Sequence, residues 1–458
     1  MERSSGILLP IFSLPSKYGI GCFSREAIQF IDFLAKANQK YWQILPLVPP
    51  GACESPYQSV STFAGNPLFI DLEQLVYQRL ITREELESYD WDNDYLIKYE
   101  KVKQYKHELL YKAFERSDHY KEPWFISFCN RNNSWLDDYA YFMEKKEGIK
   151  CDYYIFEQFI FEQQWLAVKS YANYKGIKII GDIPIYVSLD SADVYYNPEL
   201  FQLEYDLTPE SVAGCPPDFS SEEGQVWGNP LYDWEYHKQT GYKWWIERMR
   251  HCLKLHDVVR LDHFRGFYDY YAIPDVDRDA RKGEWKLGPG MDLFRAMEKE
   301  LGDMELIAED LGILSEGAFK FTKESGYPGM KILQFAFNGG EDNPYLPENI
   351  DENSVVYTGT HDNNTTLGWY NSASEREKEH LKDYIPEIDN VSWDLIRLAM
   401  STKANMCIIQ MQDYLYLDAE CRVNTPGTCF GNWQWRMAKQ PSEELANSIR
   451  ELTEIYNR

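Results

Sequence analysis

The amino-acid sequence predicts an α/β protein, a (β/α)8 TIM barrel with helical insertions between barrel strands. Short strand-like apolar runs alternate with helical stretches, the pattern of a parallel sheet covered on both faces. The runs number eight when a short one at Leu68–Asp71 is included, the count of a closed barrel. Three of them end on a carboxylate: Asp262 after Val258–Leu261, Glu309 after Leu306–Ala308, and Asp362 after Val355–His361. A charge at the end of an apolar run is costly unless it is paired or used. Barrel enzymes keep their chemistry at the carboxyl ends of their strands.

The elements follow in chain order. Ser24 is the expected N-cap of a helix over Arg25–Lys36, whose stripe of Ala27, Phe30, Ile31, Leu34 and Ala35 has helical spacing. Trp42–Leu47 reads as a short buried strand stopped by prolines. From 73 to 150 the pattern is charged and helical, and we expect a helical insertion within one catalytic unit spanning 1–458. A long helix from about Asp152 to Tyr174 ends at Gly176, a C-cap glycine, and feeds a strand around Ile177–Ile180. Residues 190–255 are expected to form a second insertion carrying a substrate-binding loop. Further strands are expected at Val258–Leu261, Glu305–Ala308, Lys331–Phe337, Val355–Thr358 and Cys407–Met411.

Composition narrows the function classes. A net charge of −26 repels nucleic acid and anionic membrane surfaces, so neither is an expected partner. An uncharged ligand such as a sugar is indifferent to that field. The 34 Tyr, 23 Phe and 14 Trp fit either a carbohydrate cleft or ordinary core packing. Nine cysteines without a Cys-x-x-Cys pair read as reduced thiols rather than a disulfide framework or a zinc site. The N-terminus lacks the apolar core of a signal peptide, and no apolar run approaches a membrane span. The expectation is a cytoplasmic protein, monomer or homodimer.

Each acid motif admits two readings. In Arg260-Leu261-Asp262-His263 the arginine shares a strand face with the aspartate and can hold it ionised, as a glycosidic nucleophile requires; the alternative is a salt bridge capping a strand. Glu309 and Asp310 project to opposite sides, so one alone faces the barrel mouth; a glutamate in a partly apolar pocket can serve as general acid, or the pair can belong to a helix cap. Thr360-His361-Asp362-Asn363-Asn364 is dense in groups for sugar hydroxyls, with an Asx-turn as the structural alternative. Two differently tuned carboxyls fit glycosidic bond chemistry. The residues alone leave open which takes which role.

Stretches distributed along the chain narrow this further. They include Gly6-Ile7-Leu8-Leu9, Trp42-Gln43-Ile44-Leu45-Pro46, Glu54-Ser55-Pro56-Tyr57-Gln58 and Gly181-Asp182-Ile183-Pro184-Ile185-Tyr186. Cys215-Pro216-Pro217-Asp218 leads to Gly224-Gln225-Val226-Trp227-Gly228-Asn229, and Asn424-Thr425-Pro426-Gly427-Thr428 with Asn432-Trp433-Gln434-Trp435 follows the acid motifs. With these, the chain resembles the amylomaltases, or 4-alpha-glucanotransferases, of glycoside hydrolase family 77. The resemblance implies Asp262 as nucleophile, Glu309 as acid/base and Asp362 as transition-state stabiliser. It implies alpha-1,4-glucan contacts from Tyr57, Asp182, Gln225, Trp227, Arg260, His263, His361, Asn424 and Gly427.

No metal or cofactor is expected, because the bond made resembles the bond broken. Two departures stand out: Cys53 and Glu54 before Ser55, and the acidic loop Ser220-Ser221-Glu222-Glu223 on the acceptor side. An alpha-amylase-type hydrolase would share all three acids, and a non-catalytic glucan-binding protein could share the barrel.

Overall fold

Eight parallel strands close into a ring: β1 Ser4–Leu8, β2 Tyr41–Gln43, β3 Lys178–Ile183, β4 Val258–Leu261, β5 Leu306–Ala308, β6 Gly329–Ile332, β7 Ser354–Tyr357 and β8 Met406–Gln410. Each strand pairs with the next in sequence, and β1 pairs with β8 (Ser4 opposite Met406) to seal the ring. The computed structural model describes residues 2–91, 95–217, 223–312 and 315–458.

The first strand lies where no run was expected. Its Ser4, Ser5 and Gly6 look polar in sequence, yet all are buried between β2 and β8. A Cβ at Gly6 would come within 2.6 Å of Tyr41 and 2.7 Å of Ile408, so close strand approach demands glycine there. Conversely, Leu68–Asp71 is not a strand. Pro67–Phe69 is a 3-10 turn whose Leu68 N–H is capped by the Asn66 side chain at 3.0 Å, and Asp71 caps the helix Leu72–Tyr77. Burial made these residues apolar, and a run so short carries no period to separate turn from strand. The run Lys331–Phe337 likewise leaves the sheet after Ile332, where a 3-10 turn begins.

The helix Arg25–Lys36 starts at Ser24, whose hydroxyl accepts from the Glu26 N–H at 3.2 Å, and buries Ala27, Phe30, Ile31 and Leu34. Between β2 and β3 the chain runs through Leu72–Tyr77, Arg83–Glu87, Tyr99–Arg116, Pro123–Arg131 and Leu136–Glu147 before the long helix Cys151–Tyr174. Gly176 follows it with φ +79°, the left-handed turn that ends a helix. A separate antiparallel sheet, in the order Gln225–Pro230, Ser211–Cys215, Asp269–Pro274, Glu284–Leu287, takes two strands from each side of β4. It hangs Gln225 and Trp227 over the carboxyl end of the barrel.

The seam is laced by the chain ends. Arg458 donates to the carbonyls of Ser4, Met400, Thr402 and Ala404, and Arg3 donates to Met400, Ala404 and Tyr456. Among the described residues, no helix is long and apolar enough to cross a membrane.

The expectation of thiols throughout is corrected. Cys53 and Cys429 form a disulfide, 376 residues apart in sequence with Cα atoms at 5.2 Å, while the seven other cysteines are in no disulfide. Nothing in their spacing marks them, because loops after β2 and β8 meet only once the ring closes.

Candidate active site

Tyr57, Gln225, Trp227, Asp262, Glu309 and Asp362 line one cleft of about 320 Å³ at the carboxyl end of the barrel, with Asn424 and Gly427 on its rim. The strands set this convergence. Asp262 is the first residue past β4 and Glu309 the first past β5, and the Glu309 N–H donates to the Leu261 carbonyl at 3.1 Å. Asp310 turns away, accepting from the Met330 N–H on β6 at 2.8 Å. Neither caps a helix, since the next helix begins after Ser315. Asp362 does not cap one either, because Thr365 caps the helix Thr366–Ser372.

Arg260 organises the floor. In register opposite Asp182 on β3, its Nη1 donates to both Asp182 carboxylate oxygens at 2.7 Å and to Asp262 Oδ1 at 3.0 Å. Its Nη2 stands 4.0 Å from Glu309 Oε2. One buried guanidinium thus meets three carboxyl groups, and its principal partner is Asp182 rather than Asp262.

The three acids sit in different surroundings. Side-chain exposure is 14% for Glu309, 25% for Asp262 and 40% for Asp362. Burial pushes the Glu309 carboxyl up to about 8; Arg260 opposes this, and the neighbouring negative charge of Asp262 adds to it. Glu309 Oε2 accepts from the His263 N–H at 2.6 Å and Oε1 from the Leu311 N–H at 3.2 Å, which fixes its rotamer. Asp362 Oδ1 accepts from Asn424 at 2.6 Å, and Oδ2 lies 3.3 Å from His361 Nε2.

Tyr57 links the two halves of the site. Its hydroxyl is 2.9 Å from Asp182 Oδ2 and 2.8 Å from His361 Nε2, and its ring stacks on His361 at 5.4 Å. With a single proton donated to Asp182, the tyrosine oxygen must accept from His361, which places the imidazole proton on Nε2. Across the cleft His263, with φ +48°, packs edge-on to Trp227 at 5.0 Å, and burial lowers its pKa to about 4, so this ring is neutral. Trp227 Nε1 donates to Gln225 Oε1 at 3.0 Å, which ties the two side chains together.

All the singled-out residues meet here. Asp182, Arg260 and His361 form the buried floor, and Gly427, with φ +79° and open space about it, turns the rim loop. Asp218, Ser220, Ser221 and Glu222 lie outside the described residues. Sequence reasoning missed Gln58, Tyr186, Trp433 and Arg422. The first three line the cleft and stood inside noticed stretches, but an aromatic or amide there has no signal apart from packing. Arg422 donates to the carbonyls of Asp362 and Asn424 and had no cue.

A 4-alpha-glucanotransferase family model matches residues 9–151 and 144–441. A 4-alpha-glucanotransferase of Clostridium butyricum is 45% identical over 483 residues, covering 98% of this chain and 99% of the relative. The chain belongs to the 4-alpha-glucanotransferase family. Its fold agrees with that membership. An amylomaltase from Streptococcus agalactiae, solved in complex with acarbose, superposes with a TM-score of 0.95 at 37% identity over 100% of both chains. An amylomaltase from Corynebacterium glutamicum, at 20% identity, shares the fold with a TM-score of 0.80 over 98% of this chain and 73% of its own.

Proposed function

We propose that the chain transfers alpha-1,4-glucan segments to the 4-hydroxyl of glucose or another glucan by retaining double displacement. The donor is a maltooligosaccharide or a starch- or glycogen-type glucan. Glucan transglycosylation is the work of the family to which the chain belongs. The single observation that supports this assignment of steps is the contrast between two neighbouring carboxyls. Asp262 lies against the Arg260 guanidinium at 3.0 Å, whereas buried Glu309 is pushed up to about 8 and holds its proton at neutral pH.

In the first step Asp262 attacks the anomeric carbon while Glu309 gives its proton to the departing 4-oxygen, leaving a glycosyl ester on Asp262. In the second, carboxylate Glu309 takes the proton of an incoming 4-hydroxyl, whose oxygen attacks the anomeric carbon and releases Asp262. Asp362, oriented by Asn424 and His361, offers negative charge to the oxocarbenium-like transition state. Tyr57, Asp182, Arg260, His263 and His361 shape the subsites about the cleaved bond, and Gln225, Trp227 and Gly427 flank them. We further propose one catalytic unit over 1–458, with 73–150 as a helical insertion and 190–255 bringing the substrate loop. We propose a cytoplasmic monomer or homodimer, a setting whose reducing thiols would act on the Cys53–Cys429 bond.

The test is incubation with maltotriose. Glucose plus a ladder of longer maltooligosaccharides, lost in Asp262→Ala, supports transfer. Maltose and glucose with nothing longer would replace it with hydrolysis.

A further inference from the structure

The Cys53–Cys429 disulfide joins two loops that both contribute lining to the cleft. The loop after β2 carries Cys53 and, four residues on, Tyr57; the loop after β8 carries Asn424, Pro426 and Gly427 ahead of Cys429. Tyr57, Asn424, Pro426 and Gly427 all line the cleft, whereas neither cysteine does.

The second loop has little else to hold its tip. Its neck is closed by the Trp433 N–H to Val423 carbonyl bond at 2.7 Å. Among the described residues, the hydrogen bonds from 425–431 stay inside the loop: Thr425 to Asn432 at 2.9 Å, Asn432 to Thr428 at 2.9 Å, and Thr428 to Thr425 at 2.7 Å. Residues 425–431 are all exposed. The first loop is a tight turn with Cys53 at φ +57° and Glu54 at φ +61°, conformations that non-glycine residues keep only when held. The Lys103–Glu54 ion pair at 2.6 Å holds one side of that turn and the disulfide holds the other.

We propose that the Cys53–Cys429 disulfide is a positioning crosslink that fixes the glucan-binding rim, and that its reduction weakens sugar binding while sparing the chemical steps. This rests on the glucan-transfer reading above. Asp262 and Glu309 directly follow β4 and β5, outside both loops. Asp362 bonds to Asn424 at the foot of the second loop, where the Arg422 bonds to the Asp362 and Asn424 carbonyls and the Asn424 N–H to the His361 carbonyl hold it without the crosslink. Release of the crosslink therefore leaves the three acids in place. Both cysteines are exposed, so a thiol reagent reaches them. A small dithiol opens the bond by two exchanges. Its thiolate first attacks one sulfur and frees the other cysteine. Its second thiol then closes a cyclic disulfide and frees the first. Two electrons and two protons pass from the dithiol to Cys53 and Cys429.

The experiment counts thiols and then measures kinetics. Denaturing alkylation followed by intact mass should add seven labels to protein prepared without reductant and nine after reduction, since the chain has nine cysteines of which two form the disulfide. With maltotriose, reduction should raise KM about threefold to tenfold, the loss expected when an ordered rim must be re-ordered on binding. The value of kcat should stay within about twofold. Reoxidation by a low-molecular-weight disulfide should restore KM. Cys53→Ser and Cys429→Ser should each show the raised KM without reductant and no response to it. Nine labels before reduction would overturn the proposal. So would transfer with the same KM in both redox forms, which leaves the functional reading intact. Absence of transfer in either form would sink both together.

Discussion

Arg260 grips Asp182 across the β3–β4 pair, one guanidinium nitrogen reaching both carboxylate oxygens at 2.7 Å in a fully buried setting. The same group reaches Asp262 and approaches Glu309. Removing it leaves buried negative charge without a partner. Arg260→Met is therefore expected to destabilise the fold by about 3–5 kcal/mol, checked by denaturant titration. Arg260→Lys should keep the charge but lose the fork that serves several acceptors, and fall between the two in stability.

The pH profile of kcat/KM should have an alkaline limb set by Glu309. In its proposed role the group must be protonated to assist the leaving oxygen, so activity should be full below its pKa and fall as pH rises through about 8. Because the charge of Asp262 contributes to that elevation, Asp262→Asn should move the titration of Glu309 to lower pH, visible by carboxyl-resolved NMR.

Glu309→Gln should cost about 10²–10⁴-fold on natural glucans. The loss should shrink for a donor whose leaving group departs without a proton. There is a stability consequence as well. A carboxyl held higher in the folded than in the unfolded chain favours folding at low pH, an advantage lost as pH rises through about 8. Glu309→Gln should therefore be more stable than wild type above that pH, as read by thermal melts at two pH values.

Asn424 holds Asp362 at 2.6 Å from a loop that Arg422 ties down through the Asp362 and Asn424 carbonyls. Asn424→Ala should reduce kcat/KM by about tenfold to a hundredfold, the loss of one hydrogen bond to a charged group, with little change in melting temperature. A large fall in stability would show that the bond serves the loop and not the carboxylate.

Trp227→Ala should raise KM more than it lowers kcat, because the ring borders the cleft beside His263 and its indole N–H bonds to Gln225. Steady-state kinetics with maltotriose and longer oligosaccharides separates the two parameters.

The legible parts of the molecule were those with local causes. A carboxylate ending an apolar run marks a strand terminus, and that logic located Asp262, Glu309 and Asp362 at the mouth of a barrel. The helix at Arg25–Lys36 was equally visible because its cap and its stripe lie within its own residues. Features that depend on register or closure were hidden. Gly6 looks like a loop residue until the approach of Tyr41 shows why no side chain fits. The first partner of Arg260 is Asp182, 78 residues earlier, rather than its strand neighbour Asp262. Trp433 and Tyr186 take their places in the cleft from the loops that carry them. The Cys53–Cys429 bond had no spacing to announce it.

The seam between β1 and β8 also sets an order of events during synthesis. A nascent chain that has reached Glu309 already holds Asp262 and Glu309, yet it has no eighth strand to pair with Ser4–Leu8 and neither Asp362 nor the Asn424 that bonds to it. The ring cannot close until Met406–Gln410 is made, and the cleft has no second rim until the loop that follows it has emerged. A ribosome stalled between Asp362 and Met406 thus leaves a polypeptide carrying all three acids in sequence but no walled chamber to use them in. Quality control that senses an open sheet edge would act on that product before any glucan met it.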